Sequence, residues 1–377
     1  MIDVVELSKQ LIQVGSDLES DKLFCELLNE ALSSCDFSQK RHSLILDGKE
    51  HTYFHLGSTG PIIAYLGHSD VVPVGDESLW CYPPFSGFSN DTTLFGRGAV
   101  DMRASVAAFI SALYLSWKDV KDHIQVIVAI PSDEETSAFG ASEILKDLRD
   151  KKLLPEVCLV GEPSALSNTG DKIRIGRRGG LSCTLNFKGE AGHTAYVSTQ
   201  ANILHRVIDI ANKIMSINWP NDGHPWPAVS FHIVEFISSS GAFNVVPDNV
   251  TLKFNIRFGP GLSRDGIIKQ IEEILRPEEN NYSVKWSRGS KPYYTTDEKF
   301  REVIDNAIIS VVGRSPAISV DGGTSDGRFF AAEGIPTIEV GTPAIKLHEI
   351  NESVEIQDLK LLVEIYSQII RNFAKAY

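Results

Sequence analysis

The sequence predicts an α/β protein: a mixed, mainly parallel sheet flanked by helices and interrupted by an inserted, ferredoxin-like α+β domain. Three observations carry this. Short, continuously apolar runs alternate with stretches of helical spacing, as a buried parallel sheet with helical crossovers requires. Several of these runs stop at His, Asp or Glu. From Arg177 the pattern gives way to a β-α-β-β-α-β order, the split arrangement of an open antiparallel sheet, and near residue 290 the first pattern resumes. Residues 1–176 and 291–377 therefore read as one domain and 177–290 as an insertion, for which 377 residues suffice.

In chain order, helical spacing marks residues 4–13 and 21–33, and a polar, hairpin-like stretch follows at 39–55. Residues 61–66 (Pro-Ile-Ile-Ala-Tyr-Leu) form a buried strand that stops at Gly67-His68-Ser69-Asp70. A glycine-punctuated turn at 95–101 leads into an apolar helix over 102–117, which places Asp101 at or near a helix N-terminus. The run 124–130 breaks at Pro131 and ends in Ser132, Asp133, Glu134 and Glu135. A helix at 138–148 precedes the strand 157–160, which stops at Gly161-Glu162-Pro163.

In the insertion, strands fall at 181–187, 228–237, 250–258 and 282–286, and helices at 200–217 and 263–275. Val250, Leu252, Phe254, Ile256 and Phe258 share one face. The uncovered sheet edge or helix face of this domain is a candidate dimer surface, because such edges need covering. Beyond it come a helix at 297–312, a strand at 318–320 and a Gly-rich loop at 322–327 that lacks the Lys and spacing of a P-loop. A strand at 336–340, His348 in a loop and a helix at 357–376 close the chain.

A net charge of −13 argues against a general partner among nucleic acids or anionic membranes, so an anionic ligand would need local positive groups. Residues 1–20 carry Asp3 and Glu6 where a secretory leader would carry Lys or Arg, and no run is long enough to span a bilayer. Cys25, Cys35, Cys81, Cys158 and Cys183 are scattered and include no C-x-x-C pair. They read as buried thiols of a cytoplasmic, reducing compartment.

Taken singly, His68 reads as a hydrogen-bonded strand-end residue, Asp101 as an N-cap and the acids at 133–135 as a solvated loop. Their shared placement changes this. Ligands of α/β sheets bind at the carboxyl ends of parallel strands, so parallel pairing would gather His68, Asp101, Glu134, Glu135 and Glu162 at one edge. His348 also lies just after a strand. His68 and Asp70 share a face of an extended backbone, and an acid so placed can hold the far ring nitrogen of a metal-bound His.

Two His and three or four carboxylates with no Cys suit a pair of divalent ions such as Zn²⁺, with Co²⁺ or Mn²⁺ as substitutes. Two cations about 3.5 to 4 Å apart need a shared anionic ligand, and Asp101 is the best candidate. Water between them would give up a proton near pH ~7, which makes hydroxide available. Adjacent side chains leave a backbone in different directions, so one of Glu134 and Glu135 could hold metal while the other handles protons. With Glu135 on the metal, Glu134 is left for general acid-base work.

Gly67-His68-Ser69-Asp70-Val71-Val72-Pro73, Gly96-Arg97-Gly98-Ala99-Val100-Asp101-Met102, Ser132-Asp133-Glu134-Glu135 and Val160-Gly161-Glu162-Pro163 resemble the co-catalytic zinc amidohydrolases of the aminoacylase and carboxypeptidase type. Gly176-Arg177-Arg178-Gly179, Gly192-His193-Thr194-Ala195-Tyr196, Asn244-Val245-Val246-Pro247, the loop from Gly322 to Arg328 and His348-Glu349-Ile350-Asn351-Glu352 extend the likeness, in the same order, to the C-terminus. The resemblance implies a zinc-peptidase-like fold, a homodimer and two zincs. His68 and Glu162 would hold one, Glu135 and His348 the other, with Asp101 bridging and Glu134 as base.

His193, otherwise a surface-loop histidine, would reach into the partner subunit's site and help hold the oxyanion. Arg177, Tyr196, Asn244, Arg257, Gly323 and Thr324 would bind substrate, Asn244 across the dimer. The implied reaction is hydrolysis of the amide of a small N-acyl amino acid carrying three carboxylates and one ammonium, which bidentate arginines suit. Three departures stand out: Gly180 in place of a Ser, Arg103-Ala104 in place of Lys-Gly, and Thr136-Ser137 in place of Gly-Asp. None touches a proposed metal ligand. The rivals are a deacylase for another N-acyl amino acid, such as N-acetylornithine, and a metal-stabilised dimeric binding protein without turnover.

Overall fold

Four apolar runs, Gln125–Ile130, Ile62–Leu66, Val157–Val160 and Thr337–Glu339, lie side by side and parallel in the computed structural model. It describes all residues except 1, 17, 34–38, 137 and 279. Ile62–Leu66 and Val157–Val160 are buried at every position, as parallel strands covered on both faces must be. The antiparallel hairpin Gln39–Leu46 and Lys49–Leu56 extends the sheet beyond Gln125–Ile130. At the other end Lys172–Arg174 runs against Thr337–Glu339, and Ala317–Ser319 pairs parallel to it.

The period of two along Ile62–Leu66 divides the helices between the faces. Ala64 and Leu66 join Ile127, Ala129, Ile144, Leu148 and Phe330 in one core, under the helices Gly140–Asp150 and Gly327–Ala332. Tyr65 points the other way, stacked on Phe109 at 4.0 Å and edge-on to Tyr366 at 5.8 Å. That face carries the helices Arg103–Val120 and Ile356–Ala376, against which Val4–Gln13 and Glu298–Val312 pack. Arg103–Val120 is buried on nearly all sides, which explains its almost continuous apolarity.

This unit comprises Met1–Gly176, Tyr294–Ser319 and Ser325–Tyr377. Several of its elements escape the sequence reading, the strand Lys172–Arg174 among them. Ser325-Asp326-Gly327 opens a short helix, Gly327–Ala332, where a loop was expected. Thr93–Phe95 and Ser353–Glu355 form a small antiparallel ladder. The cysteines also differ from expectation: Cys25, Cys158 and Cys183 are buried, but Cys81 is exposed, on a loop anchored by its N–H to Asn351 Oδ1 at 2.6 Å. Cys35 lies outside the described residues. No helix among the described residues is long and apolar enough to cross a membrane.

The second unit is Arg177–Tyr293 with Val320–Thr324. Its antiparallel sheet runs Ser230–Ile237, Asn249–Phe258, Gly179–Lys188, Tyr282–Trp286, the order of a split β-α-β-β-α-β fold. Val250, Leu252, Phe254, Ile256 and Phe258 all face a core closed by Ile203–Met215 and Arg264–Leu275. Both helices start on side-chain caps, Asn202 and Ser263. Val320–Thr324, placed by the sequence reading with the last segment of the first domain, belongs here. Arg177 Nη1 donates to the Gly323 carbonyl and Arg257 Nη1 to Thr324 Oγ1, both at 3.3 Å.

Candidate metal centre

His68 follows Ile62–Leu66, Glu134 and Glu135 follow Gln125–Ile130, and Glu162 follows Val157–Val160, so parallel pairing brings all of them to one sheet edge. Asp101 arrives from the turn before Arg103–Val120, and His348 from the loop after Thr337–Glu339. Three sets of ligand atoms converge within 4.8 Å: His68, Asp101 and Glu162; His68, Glu134 and Glu135; Asp101, Glu135 and His348.

Asp101 is common to two of these sets. Its Oδ1 lies 3.0 Å from His68 Nε2 and its Oδ2 3.1 Å from His348 Nε2. It is not an N-cap: the helix starts at Arg103, Met102 occupies the cap position, and no side chain caps it. His68 Nε2 also lies 3.8 Å from Glu162 Oε1, and His348 Nε2 3.1 Å from Glu135 Oε1.

The donor set fits divalent cations on a direct observation. His68 Nδ1 lies 2.9 Å from the Asp70 carbonyl oxygen, an acceptor only, so Nδ1 carries a proton. Nε2 is then the ring atom turned toward the acids. Lone pairs of imidazole and carboxylate face one another there, and such an arrangement requires positive charge between them. Without metal, protons take that place. Burial pulls the His68 pKa down, but the Asp101 hydrogen bond and nearby Asp70 outweigh it and hold it well above its ordinary value. Hydrogen bonds to Asp101 and Glu135 push His348 up to about 10.

Glu134 faces the same space, in the set with His68 and Glu135. Burial, then the neighbouring Glu162, raises its pKa well above the carboxylate range. Asp70 does two things rather than the one expected. Its main-chain carbonyl, not its carboxylate, is nearest to the His68 ring nitrogen, the carboxylate being 3.6 Å away. The carboxylate instead accepts the backbone N–H groups of Glu134 and Glu135.

The second unit holds the other sequence-selected residues. Arg177 is buried and Arg257 half-buried; burial, then Arg178 and Arg177, lowers the Arg257 pKa, so three guanidinium groups share one neighbourhood. They form a local concentration of positive charge in an acidic chain. His193 lies on the short strand Gly192–His193, its Nδ1 accepting from the Ala195 N–H at 3.1 Å and its Nε2 3.4 Å from Asn244 Nδ2. Tyr196 is exposed.

Three buried charged groups around the centre have no role in the sequence reading, which notes Arg103 only as a departure from the family pattern. Arg103 crosses under His68, donating to the Ser69, Leu11 and Gly15 carbonyls. Glu352 forms an ion pair with Arg97 beneath the Asp101 turn. Asp326 is buried with neither carboxylate oxygen hydrogen-bonded. Glu352 and Asp326 lie in motifs quoted above and Arg103 directly follows one, so a charge within or next to a motif was the available signal.

The profile of peptidase family M20/M25/M40 matches residues 64–372. The chain belongs to this family and is a metal-dependent hydrolase. Among curated relatives it is 34% identical to the succinyl-diaminopimelate desuccinylase of Psychromonas ingrahamii, covering 96% of each chain. It is also 34% identical to that of Thioalkalivibrio sulfidiphilus, over 98% of this chain and 99% of the relative. Among solved structures, an M20 family metallo-carboxypeptidase from Sulfolobus solfataricus superposes with a TM-score of 0.79 at 15% identity over the whole of both chains. That likeness confirms the fold.

Proposed function

We propose that this chain hydrolyses N-succinyl-LL-2,6-diaminopimelate to succinate and LL-2,6-diaminopimelate, a step toward lysine and meso-diaminopimelate, as a cytoplasmic homodimer with two zinc ions per subunit. The observation that carries the reading is Asp101, with one oxygen against each of two histidines that each face a further acid. His68 and Glu162 would hold one ion, Glu135 and His348 the other, with Asp101 shared; Co²⁺ or Mn²⁺ would serve in place of Zn²⁺. When bound, such a pair polarises an amide carbonyl and lowers the pKa of water toward about 7.

The chain's own groups do the rest. Glu134, half-buried beside His68 and not needed as a ligand in this assignment, would take the proton of the attacking water and deliver it to the departing amide nitrogen. Asp70 sets the direction of both glutamates and, through its carbonyl, the ring of His68. The substrate carries three carboxylates, which Arg177 and Arg257 would meet, with Tyr196, Gly323 and Thr324 completing recognition. His193 and Asn244 would act on the partner subunit's substrate, His193 at the oxyanion. A dimer is supported by Ser230–Ile237, an edge strand that exposes Val234, Phe236 and Ile237, with Phe243 exposed nearby in sequence.

The deciding experiment compares hydrolysis of N-succinyl-diaminopimelate with that of N-acetylornithine, alongside metal analysis of the purified protein. Strong preference for the succinyl substrate at about two metals per chain is expected. Equal rates on both substrates would remove the specificity, and absence of turnover with metal bound would favour a binding protein.

A further inference from the structure

A carboxylate offers about four acceptor positions, and Glu352, fully buried, directs all of its acceptor contacts to one turn. Its Oε1 accepts the backbone N–H groups of Gly98 (3.1 Å), Val100 (2.7 Å) and Asp101 (3.1 Å). Its Oε2 accepts Arg97 Nη1 at 2.7 Å, and its main-chain carbonyl accepts the Gly96 N–H at 3.0 Å. Each of these contacts comes from a donor, which the ionised carboxylate satisfies. The turn is thus wound around a side chain 251 positions beyond Asp101. Close winding requires Gly98, at φ +89°, where a Cβ would meet Arg103 Cδ at 2.9 Å and Val71 Cγ1 at 3.1 Å.

Arg97 extends the clamp to two more loops. Nη1 also donates to the Glu349 carbonyl at 3.3 Å, next to His348, and Nη2 to the Pro73 carbonyl at 3.2 Å, at the end of the segment that begins with His68. The guanidinium lies over the Trp80 ring, 5.2 Å from its centroid. One buried ion pair therefore joins the segments carrying His68, Asp101 and His348. Replacing a buried ion pair by apolar groups is often neutral for stability, so its value here lies in placement. Asp101 has to meet two histidines at once, a task with about 0.5 Å of tolerance.

We propose that Glu352, oriented by Arg97, is a positioning residue that presets Asp101 and the His348 loop for the two cations. The inference rests on reading Asp101 as their shared ligand. It is tested by zinc titration of the full-length, metal-stripped chain against a chromophoric chelator, with unfolding temperatures of the same samples and visible spectra of the Co²⁺-loaded forms. Glu352→Gln keeps the volume but turns an amide with a single acceptor oxygen toward four donors. Zinc dissociation constants are expected to rise by about 10- to 100-fold, with a changed Co²⁺ spectrum, and Glu352→Asp to recover part of the loss.

Should the Gln variant not fold, Arg97→Lys is read in the same way: it keeps the charge but loses the planar fork, and weaker zinc binding by a folded protein is expected. Unchanged zinc affinity and an unchanged Co²⁺ spectrum in a folded variant overturn the proposal, since a merely structural role moves the unfolding temperature alone. A wild-type chain that binds no zinc would overturn the reading of Asp101 as a ligand, and this inference with it.

Discussion

Asp70 accepts the backbone N–H of Glu134 on one carboxylate oxygen and that of Glu135 on the other, each at 3.1 Å. Two consecutive amides are thereby fixed from one side, and the side chains they carry separate. Glu135 goes to His348, and Glu134 stays near His68 without a hydrogen-bonded histidine. Two adjacent, identical residues are thus held in different surroundings, as the proposed division of labour between them requires.

Glu134→Gln is therefore expected to keep the metal and lose the chemistry. The amide fills the same space and cannot take a proton, so kcat should fall by about 10²- to 10⁴-fold with KM little changed. Metal content and steady-state kinetics on the same preparation check this. Metal loss on the same scale as activity would make Glu134 a ligand instead.

Asp70→Asn separates orientation from charge. An amide presents one acceptor oxygen to two N–H groups, so one of the two glutamates loses its anchor. A loss of about 10- to 100-fold in kcat or metal affinity is expected, the range for groups that orient ligands. Wild-type behaviour on both counts would mean that the strand ends place Glu134 and Glu135 unaided.

How much of this arrangement was legible depends on the distance over which each signal acts. The sheet was legible because continuous apolar runs such as Ile62–Leu66 announce strands buried on both faces, and their polar ends mark where side chains gather. Asp101 was ambiguous: an acid before a helix is an N-cap by default, and only its two histidine contacts exclude that. The grip of Glu352 on residues 98–101, the ladder of Thr93–Phe95 with Ser353–Glu355 and the reach of Arg103 to Gly15 were not legible. Each joins positions far apart in the chain through a contact that leaves no periodicity behind. Asp70 lay in between, since its spacing from His68 was visible but the two amides it holds were not.

Arg103 stands where the family resemblance led us to expect Lys, and its fork explains what an ammonium would forfeit. Nε donates to the Ser69 carbonyl at 2.8 Å, Nη1 to Leu11 at 2.9 Å and Nη2 to Gly15 at 2.6 Å. A lysine keeps the charge but cannot span three carbonyls, two of them buried and costly to leave unpaired. Arg103→Lys should lower unfolding stability by about 1 to 3 kcal/mol, measured by urea denaturation, and Arg103→Met by more. A neutral Lys substitution would show that the carbonyls find other donors.

Asp21 gives the metal-free protein a pH dependence of definite sign. Its buried carboxyl receives the Ser69 hydroxyl at 2.9 Å, but burial dominates and pushes its pKa up to about 6 from 3.8. Between those values the folded state binds more protons than the unfolded one, so stability falls as pH rises. The contribution is fully present below pH 3.8 and lost through about pH 6. Asp21→Asn removes it: the stability difference between wild type and variant should shrink as pH rises from 4 to 7, by on the order of 2 kcal/mol after allowance for partial solvation. A difference independent of pH would place the Asp21 pKa at its ordinary value.

Arg257 tests recognition separately from chemistry. It is half-buried, shares its surroundings with Arg177 and Arg178, and already donates to Thr324 Oγ1 at 3.3 Å. Holding like charges together has a cost that an anionic ligand would relieve, so the cluster should bind carboxylates well and be sensitive to the planar geometry of its members. Arg257→Lys preserves the charge and loses the fork. With the succinylated substrate, KM should rise by about 10-fold or more while zinc content and the unfolding temperature stay near wild type, because one charge-assisted hydrogen bond contributes about 1.5 to 3 kcal/mol. Raising ionic strength should weaken substrate binding to the wild type more than to a charge-deleting Arg257→Met variant, since screening acts on the charge that this variant lacks. If Arg257→Lys and Arg257→Met leave KM unchanged, the substrate's carboxylates are met elsewhere, and Arg257 serves only to hold Thr324 in place.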